Sequence, residues 1–222
     1  MAGVLDGLKF LSQSFRNGAT VGAVWPSSRG LCEAMVRPVV GGAGGPLRVL
    51  EVGAGVGPVT AELTQRLLPG DHLDVVELNV AFCETLHQRF DGAHPVAPII
   101  HNEDILKFDV GLRYHHIVSG LPLANFPSEL SEKIYARFFE LLEPGGTLIM
   151  FHHILGREVL RMFGPPKDRK RARQLMELEE RLAPLVVGSR NVLFNMPPAR
   201  VLVRRRPNTP EDTAAPVRPK PN

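Results

Sequence analysis

The chain has 222 residues, enough for one well-buried domain with additions and too few for two ordinary ones. Its hydrophobic content of 44% and mean hydropathy of −0.02 predict a soluble globular protein, and no apolar run is long enough to span a bilayer. The net charge of +3 hides an asymmetry: residues 47–156 carry seven Lys/Arg against fourteen Asp/Glu, whereas residues 157–206 carry thirteen against five. Such a division points to a polyanionic partner, either nucleic acid or an anionic membrane. Cys32 and Cys83 form no metal-ligand pattern, and the N-terminus lacks the pattern of a secretory signal. The expectation is therefore a reduced, cytoplasmic protein without a metal.

Taken in chain order, the first predicted element is a helix in which Val4, Leu5, Leu8, Leu11 and Phe15 share a face. Phe10 lies beside that face, and Lys9 and Arg16 toward its edges, a pattern suited to an interfacial helix. Trp25, Ser27, Ser28 and Arg29 then precede a second amphipathic helix. Gly41–Pro46 cannot hold regular structure and predicts a hinge. Residues 1–40 are thus expected to form membrane-facing helices and a lid, 45–206 the main domain, and the proline-rich 207–222 a disordered tail.

From Leu47 strand-like and helix-like segments alternate, which predicts a mostly parallel sheet with crossover helices. The strands are LRVLEV, HLDVVEL, APII, HHIVS and GGTLIMFHH. The helices are PVTAELTQRLL with Pro58 at its first position, AFCETLHQRF, SELSEKIYARFFELL with Ser128 as candidate cap, and a basic helix around Lys167–Leu182. VVGSRNVLFN and ARVLVRRR then predict an antiparallel hairpin.

The chemistry is written in the turns. Gly53, Gly55 and Gly57 follow the first strand, where they let a ligand approach the backbone and the N–H groups of the next helix. Glu77 ends the second strand, placed to accept two ribose hydroxyls, and Asp104 follows the third, placed to accept from an adenine amino group. A dinucleotide fingerprint fails at Pro58 and Thr60, where it needs a small residue. Glu51, the three glycines, Glu77 and Asp104 resemble the class I S-adenosylmethionine-dependent methyltransferases over residues 45–205. The resemblance implies an α/β Rossmann-like sheet with a C-terminal antiparallel hairpin. It also implies S-adenosyl-L-methionine as cofactor and S-adenosyl-L-homocysteine as product. Ala54, Leu78, Ile105, Ser119 and Gly120 would complete the cofactor site.

The loop Ser119–Pro127 bears on the acceptor. Enzymes that methylate adenine carry Asn-x-Pro-aromatic or Asp-Pro-Pro-aromatic here, to draw on a delocalised amine and stack a flipped base. This chain has Gly120-Leu121-Pro122-Leu123, which does neither. A primary aliphatic amine needs only to lose its proton and be aligned with the methyl group.

Val21–Ser28, Leu50–Gly57, Ser119–Pro127 and Asn195–Val201 further resemble the bacterial soluble phospholipid N-methyltransferases and the related ornithine lipid enzymes. That resemblance implies a membrane aminolipid as substrate, phosphatidylethanolamine or ornithine lipid, at the inner membrane face. Trp25, Ser27, Ser28, Arg29, Leu121 and Leu123 would meet the lipid, and Lys167, Arg169, Lys170, Arg171 and Arg173 the anionic surface. Asn125, Ser119, His152 and His153 are the catalytic candidates, the histidines as proton acceptors. The chain departs from the family in Phe151–Gly156, where an aromatic-Gly-Pro stretch is usual, and in its longer basic helix. Nucleic acid is not expected, because the basic cluster lacks interleaved aromatics. An adenine N6-methyltransferase of ribosomal RNA and a non-catalytic S-adenosylmethionine-binding membrane protein stand as alternatives.

Overall fold

A computed structural model describes residues 28–39, 45–92, 94–154, 162 and 166–208, with the side chains of 124 and 166–168 excepted. The N-terminal helix, Trp25, Ser27, most of the glycine-rich segment and nearly all of the tail therefore lie outside the described residues, as does the Lys167 side chain. Helix α1 spans Arg29–Val36 and continues as a 3-10 turn, Arg37–Val39. Strand β1 is Arg48–Val52, α2 Pro58–Arg66, β2 His72–Val76, α3 Val80–Phe90 and β3 Ile99–His101. These are followed by β4 Tyr114–Ser119, α4 Ser128–Leu141, β5 Leu142–His153, α5 Pro166–Leu182, β6 Val186–Val192 and β7 Ala199–Arg205.

The strands form one sheet in the order β3-β2-β1-β4-β5-β7-β6. The first five are parallel, and β7 pairs antiparallel with both β5 and β6. Because both faces of the parallel strands are covered, their residues are apolar in both directions. Val49, Leu73, Val75, Val118 and Ile149 pack under α1, α2 and α3, with Leu31, Met35, Leu63 and Leu86. Leu50, Val52, Ile117, Leu148 and Met150 pack under α4 and α5, with Phe138, Leu141, Leu175 and Leu178.

Several expectations need correction. The hinge does not separate α1 from the domain: Leu31, Cys32, Met35 and Val36 are buried in the core that holds α2 and the sheet. Ser128 does not cap α4. Pro127 occupies the cap position, its carbonyl accepting from Leu130 and Ser131, and the Ser128 hydroxyl instead bonds Gln174 of α5 at 3.2 Å. Strand β5 begins at Leu142 rather than Gly145, and a bulge opposite Tyr114–His116 absorbs the extra residues. Arg204, near the end of β7, is buried. Alternation along β7 turns it inward to 1% exposure, where it pairs with Glu179 of α5, and Arg206 donates to the carbonyls of Glu140 and Leu142.

Candidate active site

Strand order reverses between β1 and β4, and the carboxyl ends of parallel strands at such a point leave a crevice. Gly53 N donates to Val76 O (2.9 Å), Gly120 N to Val52 O (2.9 Å) and Glu77 N to His101 O (3.0 Å), so the sheet ladder continues into all three loops. The turn after β1 and the loop after β4 touch backbone to backbone. A Cβ on Gly120 would stand 2.7 Å from Gly53 O, and one on Gly53, at φ +74°, 2.6 Å from a Leu121 methyl. Only glycine allows this approach, and it holds residues 119–121 against the glycine turn after β1.

The two oxygens of Glu77 each accept one backbone N–H, from Gly55 (2.9 Å) and Asn79 (2.8 Å). An ionised carboxylate has about four lone-pair sites, so acceptor capacity remains on both oxygens. A Cβ built on Gly55 meets nothing within 4 Å, which leaves open space over the turn. Asp104 ties one oxygen to Leu106 N (3.0 Å), and its carbonyl accepts from Lys107 and Phe108. These groups fit an adenosine: a carboxylate for ribose, a carboxylate for an amino group, and an uncrowded glycine turn between them. Leu78 is half-buried, and Ala54 and Ile105 are buried.

Glu51 lies lower, beneath α2. It is fully buried, and burial pushes its carboxyl up to about 8, against an opposing contribution from the Thr60 hydroxyl and with the Glu77 charge adding to the rise. Its Oε2 has no hydrogen-bond partner among the described residues. That orphaned buried oxygen suits a group that still has to accept a bond.

In the loop after β4, the Ser119 hydroxyl accepts from Leu121 N (3.3 Å), and a 3-10 turn follows over Leu123–Asn125. Leu121 and Pro122 are half-buried and Asn125 exposed. Leu123, expected to meet the lipid, instead packs into the core under α4, because Ser131 donates to its carbonyl (3.2 Å) and draws the turn inward. Phe126 goes with it, at 1% exposure. The side chains of consecutive strand residues point to opposite faces, so His152 and His153 diverge. His152 Nε2 is 3.5 Å from Glu179 Oε2 on the α5 face, and exposed His153 stands edge-on to the Phe151 ring at 5.5 Å.

Of the surface candidates, Arg169, Lys170 and Arg173 are exposed. Arg171 donates to Asn125 O (3.4 Å), which fixes the start of α5 beside the β4 loop. The Ser28 hydroxyl caps α1 by accepting from Leu31 N (3.3 Å), and Arg29 pairs with Glu33 (3.0 Å). His115 and His116 are structural. The first accepts from Arg48 N (2.9 Å), and burial lowers the second to about 4, neutral beside the Thr147 hydroxyl (2.7 Å).

Two supports escaped the sequence reading. Asn102 Nδ2 donates to the carbonyls of Glu77 and Leu78 (both 3.0 Å), and so fixes the backbone that presents Glu77. Asp74, buried mid-strand, accepts from Tyr114 Oη (2.6 Å) and stands against His72 Nε2 (2.6 Å) and His101 Nε2 (2.7 Å). His101 in turn packs edge-on against Phe108 (5.0 Å), on the turn that begins at Asp104. A charged residue inside the apolar run HLDVVEL was the available signal.

A family model described as ribosomal RNA adenine dimethylase matches residues 45–178. An ornithine lipid N-methyltransferase of Singulisphaera acidiphila is 29% identical over 157 residues, which cover 64% of this chain and 75% of that protein. A probable ribosomal RNA small subunit methyltransferase A of Methanosarcina mazei is 34% identical over 125 residues, covering 55% of this chain and 41% of that one. Among solved structures, the N-methyltransferase NodS of Bradyrhizobium japonicum with S-adenosyl-L-homocysteine superposes with a TM-score of 0.59. That pair is 15% identical and covers 88% of this chain and 97% of the other. The magnesium protoporphyrin IX methyltransferase of Synechocystis gives a TM-score of 0.61 at 16% identity, covering 91% and 98%. These likenesses establish the class I methyltransferase fold.

Proposed function

The chain belongs to the ribosomal RNA adenine dimethylase family of S-adenosylmethionine-dependent methyltransferases, and from that premise we propose that its own acceptor is the head-group amine of a membrane aminolipid, phosphatidylethanolamine or ornithine lipid. One observation carries the reading. Phe126, the sole aromatic of the loop after β4, is buried under α4, and Gly120-Leu121-Pro122-Leu123 offers no side-chain amide or ring at the mouth of the crevice. Among the described residues of this loop, a flipped adenine meets no aromatic ring on which to stack. The ornithine lipid N-methyltransferase relative supports the same choice.

In this reading Glu77 and Asp104 hold the adenosine, while Glu51 and the turn Gly53–Gly57 hold the amino-acid end. When bound, S-adenosylmethionine supplies an activated methyl group. Ser119–Leu121 present backbone beside it, and Leu121 with Pro122 form an apolar wall that desolvates the amine and favours its neutral form. Asn125 orients the amine. One of His152 and His153 takes its proton; they face apart, so alanine exchange of each identifies which. The acceptor's loss lowers kcat by about 10²-fold or more at neutral pH, recovering as pH rises.

Exposed Arg169, Lys170 and Arg173 would face anionic lipid, and α1, packed into the core, joins residues 45–206 in the methyltransferase unit. The protein then works at the cytoplasmic membrane face; no helix among the described residues is long and apolar enough to cross a membrane. The family model and the Methanosarcina relative favour a second reading, methylation of adenine in RNA. Incubation with methyl-labelled S-adenosylmethionine, an aminolipid panel and small-subunit ribosomal RNA discriminates them. Label is expected in the lipid fraction. Label in RNA alone overturns the proposal, and label in neither leaves a cofactor-binding protein without catalysis.

A further inference from the structure

The turn joining β6 to β7 has its polarity inside out. Leu193, Phe194 and Met196 are exposed, Phe194 completely, while the Asn195 between them is buried. Scattered exposed apolar residues are ordinary, but a large apolar cluster around a buried amide is not. Nor is it slack chain. Asn195 Nδ2 donates to Pro197 O (2.8 Å), its Oδ1 accepts from Ser28 N (3.2 Å), and Pro198 O accepts from Ile154 N (2.8 Å). These bonds clamp the turn to α1 and β5, and three apolar side chains are held outward as a fixed edge.

Its position and charge identify what it meets. Ala199 pairs with His153, so the turn projects from the same rim of the sheet as the β4 loop and the cofactor turn. Residues 186–201, the turn with the strand ends that carry it, contain two arginines, Arg190 and Arg200, both exposed, and no Asp or Glu. An apolar edge whose own strands carry exposed cations and no carboxylate complements an anionic bilayer, with its negative surface outside and hydrocarbon beneath.

We propose that the β6–β7 turn is a membrane-insertion wedge: Leu193, Phe194 and Met196 enter the leaflet and seat the rim of the crevice at head-group level. This deepens the aminolipid reading and rests on it for its purpose, but it is tested separately.

Cys32 and Cys83 are both buried, so a Phe194→Cys substitution in the full chain takes an environment-sensitive dye at the turn. On vesicles of phosphatidylglycerol and phosphatidylcholine the dye's emission should shift to the blue and be quenched by spin-labelled acyl chains. Co-sedimentation without that shift overturns the proposal, and so does an equal shift on ribosomal RNA. A triple variant, Leu193→Ser with Phe194→Ser and Met196→Ser, should lose vesicle affinity by at least about tenfold, since each side chain forfeits burial in hydrocarbon. Its melting temperature should not fall. A large fall would mean that the chain itself covers the turn, and would also overturn the proposal. The same variant should still methylate a short-chain aminolipid dispersed as monomers. Wild-type protein that inserts yet methylates no aminolipid refutes the functional reading and leaves the wedge standing.

Discussion

Glu77 and Glu51 are neighbouring carboxylates that the fold treats in opposite ways. Glu77 has a backbone N–H on each oxygen and spare lone pairs, whereas Glu51 is buried with one oxygen unpartnered among the described residues. If Glu77 holds the ribose, Glu77→Ala lowers S-adenosylmethionine affinity by about tenfold or more in calorimetry, the scale of a charge-assisted hydrogen bond. Unchanged affinity removes that role. Glu51 makes a prediction about pH. Its folded pKa of about 8 stands above its ordinary value of 4.5, so the folded state keeps a proton that the unfolded chain has lost. Between those two values stability falls as pH rises, by up to about 1.4 kcal/mol per unit for this one group. A neutral Gln has no such cost. Glu51→Gln should therefore melt several degrees above the wild type at pH 8, with the gap closing toward pH 5. A gap independent of pH would show that Glu51 is ionised in the fold.

At the level of elements, one carboxylate joins α5 to three of its neighbours. Glu179 pairs with buried Arg204, accepts from Tyr135 Oη (2.5 Å) and stands near His152, so strands β5 and β7 and helices α4 and α5 meet at a single residue. Glu179→Ala leaves the Arg204 charge buried, at a cost of about 3–5 kcal/mol. Proteolysis should then cut α5 before the rest of the domain unfolds, and Glu179→Gln should be milder. The strands and helices were legible in the sequence because apolar spacing of two or nearly four residues fixes an element without reference to its partners. What depended on partners was not legible. Three consecutive arginines, Arg204-Arg205-Arg206, give no sign of their division, which β-alternation and a glutamate 25 residues away impose. Ser128 has the chemistry of a cap, but the preceding proline takes that place. The glycine turn after β1 was readable as a turn, since its positive-φ glycines act locally. Asn102 and Asp74 bond residues as far as 25 and 40 positions away.

For the whole molecule the organising fact is the division of charge. The acidic stretch 47–156 contains the strands and turns of the crevice, and the basic stretch 157–206 contains α5 and the hairpin. Pairing with the acidic stretch offsets part of the basic excess, as where Arg181 meets Glu132, and Arg204 is withdrawn from the surface onto Glu179 of α5. Arg169, Lys170 and Arg173 remain exposed at the start of α5, which Arg171 fixes beside the β4 loop. A field from these cations would draw the rim, rather than the back of the sheet, toward an anionic surface. Near such a surface each charge is worth about 1 kcal/mol, so replacing all three with glutamine should weaken binding to anionic vesicles by about a hundredfold at low salt. The deficit should shrink as added salt shortens the screening length to about 8 Å near physiological strength. Insertion of apolar side chains responds little to salt, so the cationic and wedge contributions separate on a salt titration of vesicle co-sedimentation. Binding that is undiminished in the triple-glutamine variant at low salt removes the cluster from the membrane contact and leaves the hairpin edge to account for it.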